Sequence, residues 1–323
     1  MRGVRDLDIT GCCQATITNE AFTHLDGIRK LNMSGCYQRT IGDDAFVHLR
    51  GVQELDMSHC RQSTLSDEAF AHLQGVRKLS MAGCDQATIT DAAFTHLAGI
   101  EQLDMSGCSQ PSITSAALRC VRGVRALNMS ACTQDTLGDE GFQYLAGIEE
   151  LNMAECRQPT ISSAAFAHLR GIQRLNMSYC NQPTIGDDAF KELGGIRELN
   201  ISFCDQRTIT DAAFEHLSGV QVLDMSWCKQ RTISDAAFAH LRGIRQLNMS
   251  YCGQSTIGDA AFEHLSGVQE LDMSHCTQCT ITDGVFSQLV GIRKLNVTGC
   301  KQLTLSAPEI MQCTRAVRLL RHL

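Results

Sequence analysis

The feature that most constrains this chain is a cysteine that recurs every 24 residues. Thirteen of its 17 cysteines occupy this position, from Cys12 to Cys300, and no insertion interrupts the spacing. Self-similarity at a fixed period of about 20 to 50 residues is typical of proteins that stack one small structural unit. We therefore interpret residues 4–306 of the 323-residue chain as about 13 copies of one repeat.

Each copy predicts a strand, a turn and a short helix. In the copy from Val52 to Gly75, the apolar residues first follow an extended pattern and then recur at helical spacing around Phe70. Ser66 and Asp67 supply an N-cap and a negative charge at the start of that helix. Gly75 predicts its end, because glycine readily adopts a left-handed conformation.

A strand this short cannot bury its apolar face alone, so neighbouring copies must stack. The prediction is an α/β solenoid: a curved array of about 13 repeats with a parallel inner β-sheet and short outer helices. We expect one domain over residues 1–323, with 307–323 as a partial C-terminal cap that begins near Pro308.

The spacing of Val52, Leu55, Met57, Cys60 and the following helix resembles the leucine-rich repeat family over residues 4–306. The cysteine, followed by an Ile-Thr-Asp helix start, is similar to the cysteine-containing subtype often attached to F-box domains, although two extra residues separate the cysteine from the isoleucine. The IGDDAF segments at 41–46 and 185–190 are also similar to repeats of microbial surface antigens. The subtype stays open.

We use the word column for the residues at one repeat position in successive copies. The cysteine column predicts small buried side chains and no metal site, since single thiols in a row cannot converge on one ion. A second column holds glutamine in all thirteen copies, from Gln14 to Gln302. Buried amides need partners, so we expect this column to form amide-to-amide or amide-to-backbone hydrogen bonds along the array. No cofactor is expected.

Charge and motif content exclude several functional classes. The net charge is -7 with both signs mixed along the chain, which argues against nucleic acid or an anionic membrane as the main partner. The start of the chain lacks the apolar stretch of a secretory signal, so we expect a cytoplasmic protein. The serine, aspartate and asparagine residues recur too uniformly to mark a catalytic site, and the prediction is a protein that is not an enzyme.

Binding specificity in a repeat array must come from positions that vary. The residue before each column cysteine is mostly small in the early copies but becomes a ring in five consecutive later copies. These rings predict a partner-binding surface, because aromatic residues dominate binding hot spots. The alternative is that they only stack on one another. We call them the aromatic column: Tyr179, Phe203, Trp227, Tyr251 and His275.

Charged strand residues in the same copies suggest a polar rim around this apolar centre. They are Arg174, Glu198 and Glu270, with Gln246 between them and Val222 in the middle.

The start of the array predicts an uncovered edge formed by Val4, Leu7, Ile9 and Phe22. Solenoids normally cover such edges. Either the chain is a fragment or an engineered or duplicated array, or this end serves for end-to-end self-association through the N-terminal repeat.

The predicted function is a non-enzymatic protein-interaction scaffold that holds a protein or peptide on its inner face. By resemblance, one version is the target-recognition arm of a ubiquitin ligase. One alternative is a surface or adhesion protein that binds host protein or glycan. Another is a structural or consensus-like array without a dedicated ligand.

Overall fold

A computed structural model describes residues 4–321. Residues 1–3 and 322–323, which the single-domain prediction also covered, lie outside the described residues. The contacts within the chain divide it into two compact units, Met1–Ile161 and Ser162–Leu323. Each unit is an α/β solenoid of parallel strands and short helical segments.

Among the residues that the structure describes, the first unit contains seven strands, each paired in parallel with the next. Six α-helices and two 3₁₀ segments connect them. The strands are β1 Asp6–Asp8, β2 Lys30–Asn32, β3 Glu54–Asp56, β4 Lys78–Ser80, β5 Gln102–Asp104, β6 Ala126–Asn128 and β7 Glu150–Asn152. The helices are α1 Asn19–Phe22, α2 Asp43–Phe46, α3 Asp67–Phe70, α4 Asp91–Phe94, α5 Ser115–Cys120 and α6 Asp139–Phe142, and the 3₁₀ segments are Val47–Leu49 and Gln143–Leu145.

The second unit follows the same plan with another seven parallel strands. Its strands are β8 Arg174–Asn176, β9 Glu198–Asn200, β10 Val222–Asp224, β11 Gln246–Asn248, β12 Glu270–Asp272, β13 Lys294–Asn296 and β14 Arg318–Leu320. Its α-helices are α7 Ser163–Phe166, α8 Asp211–Phe214, α9 Asp235–Phe238, α10 Asp259–Phe262 and α11 Ala307–Thr314, and its 3₁₀ segments are Asp187–Phe190, Ala239–Leu241 and Asp283–Ser287.

The sequence period sets the strand register. In both units the paired residues are 24 apart, as in Leu55 with Leu79 and Leu223 with Leu247. Each repeat therefore places its apolar residues beside the same residues of its neighbour. Side chains such as Met57, Cys60 and Phe70 are fully buried in the resulting core.

Helix boundaries follow the predicted signals and add contacts between repeats. The hydroxyl of Thr90 accepts a hydrogen bond from the backbone N–H of Ala92 at 3.2 Å, as an N-cap should. The same hydroxyl donates to Asp67 in the preceding repeat, and the Thr90 N–H donates to that carboxylate as well, both at 2.7 Å. The aspartate that begins one helix therefore also fixes the start of the next.

The predicted glutamine column forms amide-to-backbone bonds. The Gln86 amide nitrogen donates to the carbonyl oxygen of Cys60 in the preceding repeat at 3.0 Å, and Gln230 does the same to Cys204 at 3.1 Å. The side-chain oxygens of Gln86 and Gln230 have no hydrogen-bond partner among the described residues. In these copies one half of the amide is satisfied by a bond between copies, whereas in Gln38, Gln62, Gln254 and Gln278 neither half has a partner in the described part of the chain.

The two ends of the array differ from the expectations. Val4, Leu7 and Ile9 are half-buried, as expected at an uncovered edge. The prediction for Phe22 was wrong, because this ring is buried, with only 1% of its surface exposed. At the other end, the expected cap continues the array, since α11 leads into β14, which pairs with β13 in the usual register.

Candidate functional site: the aromatic column

The aromatic column follows directly after the strands of the second unit. Its five residues have positive φ angles between 57° and 61°, in the left-handed region. Each backbone N–H still donates to the next repeat, as Trp227 does to the carbonyl oxygen of Ser250 at 2.9 Å. The chain therefore turns at this position while the hydrogen-bonded ladder between copies continues.

The left-handed turn explains why small residues occupy this column elsewhere. Gly35, Gly83, Gly107 and Gly299 have φ between 64° and 72° at the same position. A side chain with a Cβ costs on the order of 1 kcal/mol in this conformation, and a bulky one is uncommon there. Rings in five consecutive copies therefore run against the local backbone preference.

The five rings form one continuous stack. Neighbouring ring centroids are 4.1 Å apart for Tyr179 and Phe203, 5.2 Å for Phe203 and Trp227, 4.2 Å for Trp227 and Tyr251, and 4.4 Å for Tyr251 and His275. The planes of neighbouring rings differ by only 10° to 16°. Stacked aromatic pairs contribute about 0.5–1.5 kcal/mol each beyond the area they bury, which offsets much of the backbone cost.

Strict strand alternation would have turned these rings into the core, but the left-handed turn leaves all five half-buried. The serine before each ring is buried instead, from Ser178 to Ser274. In the first unit the corresponding serines, such as Ser58 and Ser106, are only half-buried. The rings therefore lean over the solvent-facing side of the sheet and cover its serine column.

The faces and edges of the rings have different neighbours. Within the stack, ring faces contact one another, and the last ring lies against Gly299, where an added Cβ would come within 2.4 Å of the His275 ring. Solvent therefore meets mainly ring edges. These edges include the indole N–H of Trp227 and the hydroxyl of Tyr251, so the column combines apolar surface with hydrogen-bond donors.

Lys229 belongs to this site, although the sequence analysis did not single it out. It follows the buried Cys228 and is exposed, and its ammonium group lies 4.2 Å from the centroid of the Trp227 ring. Cations are attracted to the face of an indole ring. The sequence could have indicated this residue, because the position after the column cysteine varies from copy to copy and lies next to the rings.

The predicted rim residues lie on the same face of the sheet but at the other end of the strands. Arg174 and Glu198 are adjacent in the register of β8 and β9. Glu270 pairs with Lys294 at 2.8 Å. Each of these positions precedes its ring by five in sequence, which corresponds to about 15 Å along a fully extended chain. The charges and the rings therefore form two rows along the sheet.

The cysteine column holds buried, protonated thiols. The Cys228 thiol donates a hydrogen bond to the carbonyl oxygen of Ile201 at 3.1 Å, and Cys252 does the same to Met225. Burial raises the pKa of Cys84 and Cys252 to about 12. Among residues 4–321, no group of three or more histidine, cysteine, aspartate or glutamate side chains is placed to hold a metal ion.

Comparison with known families gives a match along nearly the whole array. The model of the BspA type leucine rich repeat region matches residues 15–149, 135–269 and 183–307. The chain belongs to the BspA-type leucine-rich repeat family. The resemblance to the cysteine-containing subtype stays a prediction. A search of curated protein sequences finds no match.

Solved structures confirm the leucine-rich repeat fold. A leucine-rich repeat protein of Leptospira interrogans aligns with a TM-score of 0.78 at 18% identity, over 99% of this chain and 79% of that one. The Toll-like receptor 13 structure with single-stranded RNA aligns with a TM-score of 0.68 at 18% identity, over 93% of this chain and 47% of that one. The Drosophila Toll structure with Spätzle aligns at 0.64 and 12% identity, over 90% of this chain and 46% of that one.

This BspA-type chain thus spans about half the length of the two receptors that it resembles. At these identities the likeness concerns the fold. Among residues 4–321, no helix is long and apolar enough to cross a membrane.

Proposed function

We propose that this protein is a non-enzymatic scaffold that binds a protein partner on the solvent-facing side of its second unit. The observation that carries the proposal is the aromatic column, five stacked rings held half-buried at left-handed backbone positions. The rings, with Trp227 at their centre, are the anchor. Arg174, Glu198 and Glu270 supply the polar contacts of the second row.

The backbone cost supports a selected role for the rings. Glycine would satisfy the turn without strain, as it does at Gly83 and Gly107. Stacking of the rings offsets part of the free-energy cost of the left-handed backbone, but the edges of the rings still face solvent. Exposed apolar surface of this kind, with a polar row beside it, is typical of protein-binding sites.

The geometry favours a protein over a glycan as the ligand. Sugar rings bind to the open faces of aromatic side chains, but within the column these faces contact the neighbouring rings. The charged row precedes the rings by five positions in each copy, at most about 15 Å along the chain, so a ligand that contacts both rows must extend along the strands. A protein or an extended peptide spans both rows.

The comparisons are compatible with this choice of partner. The Toll structure is a complex with the protein Spätzle, and the Toll-like receptor 13 structure contains single-stranded RNA. For the present chain, the net charge of -7 with mixed signs supports a protein and argues against a nucleic acid.

The second candidate is a surface or adhesion protein, and membership of the BspA-type family favours it. The ubiquitin-ligase version depends only on the resemblance to the cysteine-containing subtype. The two differ in location, because the ligase arm requires the cytoplasm and an adhesion protein requires the cell surface. Fractionation of source cells, with an antibody against the protein, distinguishes them.

End-to-end self-association is a separate proposal. The half-buried Leu7 in β1 and Ile9 just after it support it, since the equivalent residues of later repeats are almost fully buried. Sedimentation velocity over a hundredfold range of concentration tests it. A wild-type protein that stays monomeric throughout would contradict it.

The main proposal is tested with a ring variant and a control variant of the same chemistry. The first carries Phe203→Gly, Trp227→Gly and Tyr251→Gly, which removes three rings without adding backbone strain. The control carries Ala131→Gly and Glu155→Gly, which makes the same substitution in the same column of the first unit. Circular dichroism and thermal unfolding first confirm that both variants fold.

Wild type and both variants then serve as baits in lysate and in a cell-surface extract of the source organism, with quantitative mass spectrometry as the readout. We expect a protein that binds wild type and the control but is lost from the ring variant. Its purified form should bind the ring variant at least a hundredfold more weakly, since hot-spot residues each contribute 2 kcal/mol or more. Equal recovery on all three baits would show that the rings only pack.

A further inference from the structure

We infer that the first unit carries an anion-binding site of its own, separate from the aromatic column. The site is an open depression of about 520 Å³ between the second and third repeats. Its ligand is an anionic group, a phosphate or a carboxylate. The depression is lined by Tyr37, Arg39, His59, Arg61, Gln62 and Ser63.

The lining supplies hydrogen-bond donors and positive charge. Two guanidinium groups, an imidazole, a phenol and a hydroxyl line the depression, and none of its lining side chains is a carboxylate. Guanidinium groups bind phosphate and carboxylate oxygens through paired hydrogen bonds. The chemistry of the depression therefore suits an anion.

Arg61 is held in place before any ligand arrives. Its Nε donates to the carbonyl oxygen of Gly83 in the next repeat at 2.9 Å, and the same nitrogen lies 3.7 Å from a carboxylate oxygen of Asp85. Both contacts involve Nε and neither involves the two terminal nitrogens of the guanidinium group. A fixed guanidinium loses less conformational freedom on binding than a mobile one.

His59 is positioned in the same way as the rings of the second unit. It adopts a left-handed conformation with φ of 59°, while the neighbouring copies have Gly35 and Gly83. A Cβ at Gly83 would lie 2.5 Å from the His59 Nδ1 atom, so the glycine makes room for the imidazole. The third repeat thus differs from its two neighbours by carrying the His59 imidazole, a hydrogen-bond donor, where they carry glycine.

Gln62 contributes a buried amide to the depression. Its side chain lines the depression with only 3% of its surface exposed, and neither atom of its amide has a hydrogen-bond partner among residues 4–321. Gln38, Gln254 and Gln278 share this state, but of these four glutamines only Gln62 lines the depression together with two arginines. A buried amide without a partner can donate to a ligand.

Tyr37 marks the open side of the depression. The Tyr37 side chain is 60% exposed, which is a large exposed fraction for an aromatic ring. Tyr37 follows the column cysteine, at a position where other copies carry small or polar residues. Its hydroxyl interacts by a hydrogen bond with Cys13 of the first repeat, which raises the pKa of Tyr37, so its contribution to the depression is the ring at the rim.

The experiment follows the ring Cε1–H signal of His59 in proton–carbon correlation spectra of the whole chain, assigned by its loss in His59→Gln. Inorganic phosphate is added at constant pH and ionic strength, and sodium acetate is added in a parallel series. We expect a saturable shift with phosphate. A matching shift with acetate would identify a general carboxylate and phosphate site, and its absence would restrict the site to phosphate.

Variants then test the geometry. Arg39→Gln with Arg61→Gln should weaken phosphate binding at least tenfold, because hydrogen bonds to charged groups are strong. The control, Arg157→Gln with Arg207→Gln, changes arginines at the same two repeat positions outside the depression and should bind as wild type does. The inference is overturned if His59 does not shift in wild type, or if the two double variants lose binding equally.

Discussion

The two units share one scaffold but differ in the column that precedes the cysteines. In the first unit the residue at this position is mostly glycine or another small or polar residue, and serines before it, such as Ser58 and Ser106, are half-buried. In the second unit it is a ring in five copies, from Tyr179 to His275, before it returns to glycine at Gly299, and serines such as Ser226 are buried beneath the rings. The backbone at this position is left-handed in both units, so the turn belongs to the shared scaffold. The side chain at this position determines which chemical groups the surface presents. A repeat array can thus acquire a site without any change of fold.

The largest expected effect concerns what the two units have in common, the buried thiols. An unfolded thiol with a pKa of 9.0 loses its proton above that pH, while Cys84 and Cys252 keep theirs until about pH 12. The unfolded state then binds fewer protons than the native state, so the free energy of unfolding falls as the pH rises from about 9 to 12. Each thiol contributes about 1.4 kcal/mol per pH unit, and several together exceed the stability of a typical domain.

Urea unfolding under reducing conditions at pH 7, 9 and 10 measures this loss. Cys252→Ala should reduce the difference in bound protons between the native and unfolded states, and so the slope of unfolding free energy against pH, by about one proton. Cys279→Ser changes an exposed thiol and should leave that slope unchanged. A free energy of unfolding that stays constant up to pH 10 would contradict the prediction.

The second effect tests whether the cores of the two units are equivalent. Phe94 in α4 and Phe214 in α8 are both fully buried. Phe94→Ala and Phe214→Ala should each lower the free energy of unfolding by about 3–5 kcal/mol, through lost burial and the cavity left behind. Urea unfolding at pH 7 gives both values. A difference of more than about 2 kcal/mol would mean that the units differ in their cores as well as on their surfaces.

The third effect is a change of sign. Ala131 and Trp227 occupy the same left-handed position in different units. Ala131→Gly relieves strain and should raise the free energy of unfolding by about 0.5–1 kcal/mol. Trp227→Gly relieves the same strain but removes two stacked contacts and uncovers Ser226, so it should lower the free energy by about 1–2 kcal/mol. Thermal and urea unfolding of both variants measure the signs. If both substitutions raise the free energy of unfolding, the ring stack makes no net contribution to stability.

The smallest effect separates Lys229 from its counterpart. Lys229 lies over the Trp227 ring, while Lys301 occupies the same repeat position after Gly299, where there is no ring. Lys229→Gln should lower the free energy of unfolding by about 0.5 kcal/mol and shift the emission of the single tryptophan. Lys301→Gln should change neither. Identical spectra for wild type and Lys229→Gln would exclude the contact in solution.

Much of the fold follows from the sequence because the repeat is regular. A fixed period of 24 aligns equivalent residues, so the register of Leu55 with Leu79 follows once the strands are placed. The N-cap at Thr90 and the turn at Gly75 also follow from local chemistry. The burial of Phe22 does not, since it depends on how far the first repeat covers its own helix.

The candidate site was only partly predictable. The rings of the aromatic column stand out in the sequence as a break in the repeat. Strict alternation of strand residues, however, would have pointed these rings into the core. The glycines at the same position in other copies do not indicate where a side chain would point. The contact of Lys229 with Trp227 and the distance from the rings to Arg174 depend on the turn geometry. The thiol hydrogen bonds, such as Cys228 to Ile201, require the packed neighbour to be known.

Those thiol bonds share a direction with the glutamine amides and the threonine hydroxyls: the donor lies in the later copy and the acceptor in the earlier one. Each bond spans a constant distance in sequence, so a whole copy lifted out or added leaves every remaining donor facing an equivalent acceptor. Unequal recombination within such a gene therefore yields longer or shorter proteins that still fold. Duplicating the copy that holds Trp227 would lengthen the aromatic column, so copy number alone could change the length of the proposed binding surface.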